Sequence, residues 1–422
     1  MDPSQITRRR SRFNVRQIGM LALFIPTVVC AAATPDLFLF PAKNLAATAA
    51  SLARGESPFQ PALTLLRKEA DGALKMKPLS AMDKPRAAPG SDKHDYFSYG
   101  PYWWPDPSKA GGLPYVRRDG EINPESRKDT DDHAWGRTAE AIETLSLAYF
   151  FTHQEPYAVK AAQLARVWFL DPATRMNPNM DHAQAVPGIN NGRGIGLIET
   201  RTLPAVVDSL ALLAGSPAWS DKDRSAFRVW LESYFAWLQQ SANGLDEHRQ
   251  LNNHGTWYDV QAAYLALALG KTGAAKTILT TALQSRLSSQ VGPDGSQPRE
   301  LVRTKSLEYS LFNLEALLAC AQLSDHVGVD WWDFSTSDGR SLHAALAYLA
   351  PYVDPEKSWP KKDLVHPSRT RLLPLFAIYL SHRADPELHA LFEKYGPADP
   401  AARWRLLWGT PVSPRDSEIS SP

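Results

Sequence analysis

The chain has 422 residues, 44% of them hydrophobic, enough for one large domain or two ordinary ones around a sizeable core. A formal net charge of +1 excludes the strong basic excess of a nucleic-acid binder. Aromatic residues reach 10% with 13 Trp, and such rings stack on sugar faces as well as fill cores.

At the amino terminus Arg8, Arg9, Arg10, Arg12 and Arg16 precede an apolar stretch from Ile18 to Cys30, too short to span a bilayer comfortably. Ala31-Ala32-Ala33 then offers a small-residue cleavage site. Residues 1–33 are therefore expected to be a signal peptide, giving a periplasmic or secreted protein without stable membrane insertion after cleavage; an uncleaved anchor is the alternative. Phe13 falls one place late for a twin-arginine signal, and Thr27-Val28-Val29 is a poor lipid-attachment box before Cys30. The other cysteine, Cys320, sits in an apolar helical run and is expected to be a structural thiol. One remaining cysteine permits neither an internal disulfide nor a Cys-rich metal site.

Residues 34–400 are expected to form a single domain and 401–422 a tail. The first part, 35 to 90, holds one or two helices, such as Pro61 to Ala73, and ends in a Pro/Lys/Ala-rich loop. Residues 95 to 130 include Tyr99-Gly100-Pro101-Tyr102-Trp103-Trp104-Pro105-Asp106-Pro107, whose prolines exclude a helix and predict a long aromatic loop. Helical spacing then predominates: 136–153 and 156–169, 198–213 and 221–239, 257–269 and 274–289, then 306–323, 341–352 and 371–382. Ser220 and Asp223 form a helix-start box. Convincing alternating strands are absent. Antiparallel helix hairpins recurring every 40 to 50 residues predict an all-α fold, an α/α toroid or incomplete α/α barrel.

Two segments carry the chemistry. Leu251-Asn252-Asn253-His254-Gly255-Thr256-Trp257 supplies an amide and an imidazole, and 299–309 supplies Arg303 and Tyr309. Eliminating a uronate polymer requires removal of a weakly acidic C5 proton beside a carboxylate that is already negative. The carboxylate must be neutralised, a base must reach C5, and an acid must reach the O4 leaving group. Asn253, His254 and Arg303 suit the first task; Tyr309, with His254 in reserve, suits the proton transfers. Arg303 and Tyr309 converge best if Arg303 precedes a helix starting near Thr304 or Ser306. Each residue also has a plainer reading. The asparagines and His254 suit a helix cap, Arg303 and Glu300 a surface ion pair, and Tyr309 a core tyrosine. The eleven His are scattered without a His-x-x-x-His pair, so no metal and no cofactor are expected.

Several stretches together resemble the bacterial alginate lyase domain family: 99–107, 112–125 from Gly112 to Glu125, Asn191-Gly192-Arg193-Gly194-Ile195-Gly196, Asn252-Asn253-His254, and 294–309. The resemblance spans about residues 60 to 385. It implies metal-independent β-elimination on an all-helical toroid, with an acidic polysaccharide as partner. It also implies that Asn253, His254 and Arg303 bind the uronate carboxylate while Tyr309 acts as base, acid or both. In relatives cutting mannuronate-type linkages the Tyr makes both proton transfers on one face; the opposite C5 configuration gives the base role to His. The Arg-to-Tyr interval is one residue shorter than in the best-known alginate-specific branch, and Gly-Thr-Trp follows His254. The chain therefore looks closer to the branch holding glucuronan- and alginate-degrading lyases.

Asn191 and Arg193 are expected in substrate binding, although their glycines also suit a tight loop. Tyr102, Trp103 and Trp104 suit either sugar platforms or a plug at the barrel end. Gln184, His182 and Arg201 are further polar side chains left without a role. Two competing functions remain. One is a glycoside hydrolase drawing on Asp131, Asp132, Glu140 or Glu199; the other is a non-catalytic glycan-binding envelope protein.

Overall fold

The structure, a computed structural model, describes residues 36–409; the expected leader at 1–33 lies outside them. In chain order the elements are α1 (Ala42–Ala53), α2 (Gln60–Leu74), β1 (Phe97–Tyr99), β2 (Trp103–Trp104), β3 (Val116–Arg117), α3 (Asp131–Thr152) and α4 (Glu155–Ala165). β4 (His182–Ala185), α5 (Leu203–Ala211), α6 (Asp221–Gln240), α7 (Ala242–His248), α8 (Asn253–Ala268) and α9 (Thr272–Ala282) follow. The last are α10 (Ser288–Gln290), α11 (Pro298–Leu301), α12 (Ser306–Asp325), α13 (Leu342–Leu349), α14 (Leu372–Leu380), α15 (Pro386–Tyr395) and α16 (Trp404–Trp408).

The fold is an all-α toroid. α2 packs on α3, α3 on α5, α5 on α8, α8 on α12, α12 on α14, and α14 on α16. α16 returns to α1 and α2, so the ring of contacts closes through a five-residue helix. Residues 404–408 thus belong to the domain, which extends past residue 400, where the tail was expected to start; Leu406 and Trp408 are buried there. α8 and α12 lie inside the ring and are apolar on nearly every side, as inner helices must be. Leu307, Leu311, Leu314, Leu318 and Ala321, the apolar stripe of α12, are all buried.

Most tryptophans serve the core. Trp135, Trp168, Trp219, Trp230, Trp331 and Trp332 are buried, and Trp230, Tyr234 and Trp237 stack in sequence along α6. Cys320 is buried and unpaired, as expected. Among the described residues no helix is long and apolar enough to cross a membrane.

Departures from the expected elements have local causes. The helix expected over 198–213 breaks in two: a 3-10 segment, Gly194–Thr200, precedes α5, whose first turn holds Pro204. Proline lacks the N–H that a continuing helix needs, so it starts a new one. The segment read as a long loop carries short strands: β1 pairs in parallel with β4, and β2 antiparallel with β3. α9 passes into a π turn, Leu283–Leu287, which swings Arg286 inward. α15 follows a cap at Asp385, whose carboxylate accepts from the N–H groups of Glu387 and Leu388.

Candidate active site

α12 begins at Ser306 because the Asp363 carboxylate accepts from the Ser306 and Leu307 N–H groups, at 2.9 and 2.8 Å. Arg303 therefore lies before the helix and Tyr309 one turn inside it, and the two side chains meet. The Arg303 guanidinium stands 3.8 Å from the centre of the Tyr309 ring. Arg303 is not paired with Glu300, the plainer expectation, but with Asp119, at 2.8 Å through Nη2 and 3.2 Å through Nε. Burial works against the Asp119 charge, yet Arg303 and the Thr304 N–H hold its carboxyl down to about 2. The loop can deliver Asp119 there because Gly120 follows, at φ +78°, where a Cβ would run into Thr304.

The Tyr309 hydroxyl is 2.7 Å from the hydroxyl of Tyr102. Burial pushes the Tyr309 phenol well above its ordinary value, while the Arg303 cation pulls it back. Both tyrosines line a cavity of about 620 Å³ whose walls include Trp257, Phe312, Arg201 and Arg371. Leu39, Phe40 and Trp408 form another part of the lining. The Leu39–Phe40 strap is pinned by the buried Asp208 carboxylate, which accepts from both backbone N–H groups and from the Tyr264 hydroxyl.

A second cluster lies at the start of α8, the helix whose Trp257 lines the cavity, while Asn253 and His254 lie outside its lining. Asn252 is its cap, accepting from the His254 N–H, so the capping reading holds for Asn252 while Asn253 and His254 face other partners. His254 Nδ1 lies 2.9 Å from Glu247 Oε1. Glu247 is fully buried, and a carboxylate there favours the tautomer with a proton on Nδ1 and a free Nε2. Burial raises Glu247, opposed by His254 and Arg193. Asn253 is buried, and its backbone N–H and Nδ2 both donate to Glu300 at 2.8 Å. Its Oδ1 has no partner. Glu300 is raised by burial too, opposed by Asn253 and by the charges of Arg303 and His254. Glu300 is thus within electrostatic reach of both sides of the site.

Gly255 lets this turn form. A Cβ there would strike the Gln250 carbonyl and the Arg286 guanidinium. Arg286 crosses beneath it, donating to Asp259 and to the Gln250 and His248 carbonyls, each at 2.7 Å.

The remaining expected residues divide. Arg193 donates to Gln184 Oε1 at 2.8 Å and lies over the Trp103 ring at 5.6 Å. Its charge is disfavoured by burial, then by Arg117, which bring it down to about 10. Trp103 lines a separate pocket with Tyr99 and Tyr115, whereas Tyr102, in the turn before β2, lines the cavity. Trp104 is held by its indole N–H on the Glu121 carbonyl, with Arg118 over its ring. Asn191 is exposed, and its backbone carbonyl contacts His182; it lines neither of these pockets.

The carboxylates considered for a hydrolase are not part of the cavity wall. Asp131 pairs with Lys84 at 2.9 Å, and Glu199 accepts from Tyr96 and Ser98. Among the described residues no cluster of His, Cys, Asp and Glu is arranged to hold a metal ion. Sequence reading missed Glu247, Asp119 and the Tyr102–Tyr309 pair. A carboxylate seven residues before His254 was the one signal on offer.

The profile of the family described as alginate lyase matches residues 80–359. Among solved structures, an alginate lyase from Bacteroides ovatus is similar at 35% identity and a TM-score of 0.85. That match covers 89% of this chain and 99% of the other. A histidine-to-alanine variant of alginate lyase A1-III, an enzyme of Sphingomonas species A1, complexed with a tetrasaccharide, is similar in fold at 16% identity and a TM-score of 0.53. It covers 83% of this chain and 95% of its own. Comparison with curated proteins gives no match.

Proposed function

The chain belongs to the alginate lyase family and is a polysaccharide lyase; from that premise we propose that it cleaves 1,4-linked uronate chains, alginate at mannuronate-type linkages or glucuronan, by β-elimination. The observation that carries this reading is the Tyr309 hydroxyl at the cavity wall, under Arg303 and 2.7 Å from Tyr102.

The chemistry follows from those contacts. Tyr309 gives its proton to the Tyr102 hydroxyl, which passes its own to solvent in the cavity, and the Arg303 guanidinium stabilises the phenolate. The phenolate takes the C5 proton, the electron pair of that bond becomes the C4–C5 double bond, and the C4–O4 bond breaks. The same hydroxyl then returns a proton to O4, so no net proton is consumed, and the new non-reducing end is a 4,5-unsaturated uronate. His254, once protonated at Nε2 as well as at the Nδ1 held by Glu247, and the second Nδ2–H of Asn253 donate to the carboxylate as charge builds on it. One oxygen serving both steps requires H5 and O4 on the same face of the ring. Mannuronate and glucuronate share that arrangement at C4 and C5; guluronate does not.

A second reading has one observation in its favour, the His254–Glu247 contact. It would leave Nε2 free as the base for the opposite C5 configuration, with Tyr309 as acid only. One screen separates the two: purified protein against polymannuronate, glucuronan and polyguluronate, followed by ultraviolet absorbance. Product from the first two supports Tyr309 in both roles; product from polyguluronate alone supports His254. Periplasmic or secreted placement, proposed from the leader, is tested by locating the mature protein after fractionation.

A further inference from the structure

The cavity holds an arginine that the mechanism above leaves unused. Four charged side chains line it beyond the catalytic groups: Arg201, Arg371, Glu308 and Glu315. Arg371 is engaged by Glu315 at 2.7 Å. Arg201 has no carboxylate within ion-pair distance among the described residues; its hydrogen bond is from Nη1 to the Ile198 carbonyl at 3.1 Å. Its guanidinium lies 5.3 Å from the centre of the Phe312 ring. A partly buried cation without a counter-ion is costly, and an entering anion relieves that cost. Burial disfavours its charged form, opposed in part by the more distant charges of Glu315, already engaged by Arg371, and Glu199.

The position fits a particular anion. Phe312 follows Tyr309 by three residues, about 4.5 Å along the helix axis, a spacing on the scale of one pyranose unit. Trp257 packs against Phe312 with ring centres 5.3 Å apart, and its indole N–H has no partner among the described residues. Cation, ring faces and a donor therefore converge one sugar away from the phenol.

We propose that Arg201 anchors a second carboxylate subsite in this cavity, which takes the uronate unit adjacent to the one deprotonated at Tyr309. This rests on the polyuronate reading above. It makes the enzyme a reader of two consecutive charged units, with Arg201 binding substrate rather than moving protons.

The test uses the full mature chain and initial rates of ultraviolet-absorbing product. Arg201→Gln should raise KM about tenfold, the loss of one charge-assisted hydrogen bond, with kcat changed less than about threefold. Arg201→Lys should recover part of the loss. An unchanged KM, or a fall in kcat alone, would overturn the subsite. A second measurement needs no variant and decides the matter if Arg201→Gln does not fold. A polyuronate is prepared with a random fraction of its carboxylates reduced to alcohols, and wild-type kcat/KM is followed. A two-carboxylate requirement makes kcat/KM fall close to the square of the charged fraction; a fall in simple proportion overturns the proposal. Wild-type protein giving no such product from any polyuronate sinks the underlying reading, a result distinct from either.

Discussion

The two sides of the candidate site, at the starts of α12 and α8, use carboxylates in opposite ways. On the α12 side, Asp119 is partly exposed, paired with Arg303, and held down to about 2. On the α8 side, Glu247 and Glu300 are fully buried, support an imidazole and an amide, and are raised by desolvation. The α12 side is a charge clamp that keeps its ionisation in acid. The α8 side carries strained charges whose protonation is easy. The lesson is that the balance of burial against a cationic partner and donated hydrogen bonds, and not residue type, decides how a supporting carboxylate behaves.

The largest expected effect comes from removing the phenolic oxygen proposed to serve both proton transfers. Tyr309→Phe should lower kcat by about 10² to 10⁴-fold with an unchanged melting temperature, measured by ultraviolet absorbance and thermal unfolding. Near-normal turnover would place the chemistry on the α8 side instead. Next is Glu247→Gln, which removes the charge that orients His254. A loss on the order of 10²-fold in kcat/KM is expected on mannuronate-type polymer if His254 neutralises the carboxylate. An unaffected rate would reduce the α8 side to scaffolding.

A smaller effect separates the two kinds of carboxylate by the sign of their pH dependence. Asp119 sits below its ordinary 3.8, so its stabilisation is complete above that pH and is lost as pH falls through about 2. Asp119→Asn should flatten the fall in melting temperature across that window. Glu300 sits above its ordinary 4.5, so the folded protein binds the extra proton and stability declines as pH rises from 4.5 through the raised value. Glu300→Gln should flatten that decline. Melting curves from pH 2 to 8 test both, with shifts on the order of a few degrees; slopes of the same sign would erase the comparison. Gly255→Ala probes the backbone under the α8 side. A cost of about 1–3 kcal/mol is expected from the clash with the Gln250 carbonyl and Arg286, read as a lower denaturant midpoint.

Helical periodicity was enough to give the all-α class, because apolar residues spaced for one face report burial whatever the partner. It failed where a helix is very short or changes its winding. The seven residues of α7 carry no period to read, and the π turn at Leu283–Leu287 keeps helical spacing while redirecting Arg286. In the candidate site, Asn253, His254, Arg303 and Tyr309 were legible as chemistry in two short segments. Their supports were not. Asp119 reaches Arg303 across 184 positions, and Tyr102 reaches Tyr309 across 207. Trp103 and Trp104 read like Tyr102 in sequence, yet Trp103 lines the separate pocket and the Glu121 carbonyl holds Trp104.

By itself the sequence determined a helical chain carrying an amide, an imidazole, a guanidinium and a phenol in family-like order, since local spacing and residue chemistry travel with the chain. Only the tertiary structure decided which carboxylate stands behind each group, which tyrosine meets Tyr309, and that Arg201 faces the cavity with no ion-pair contact among the described residues. Those are properties of distance and desolvation, which arise when remote segments are brought together and water is excluded between them.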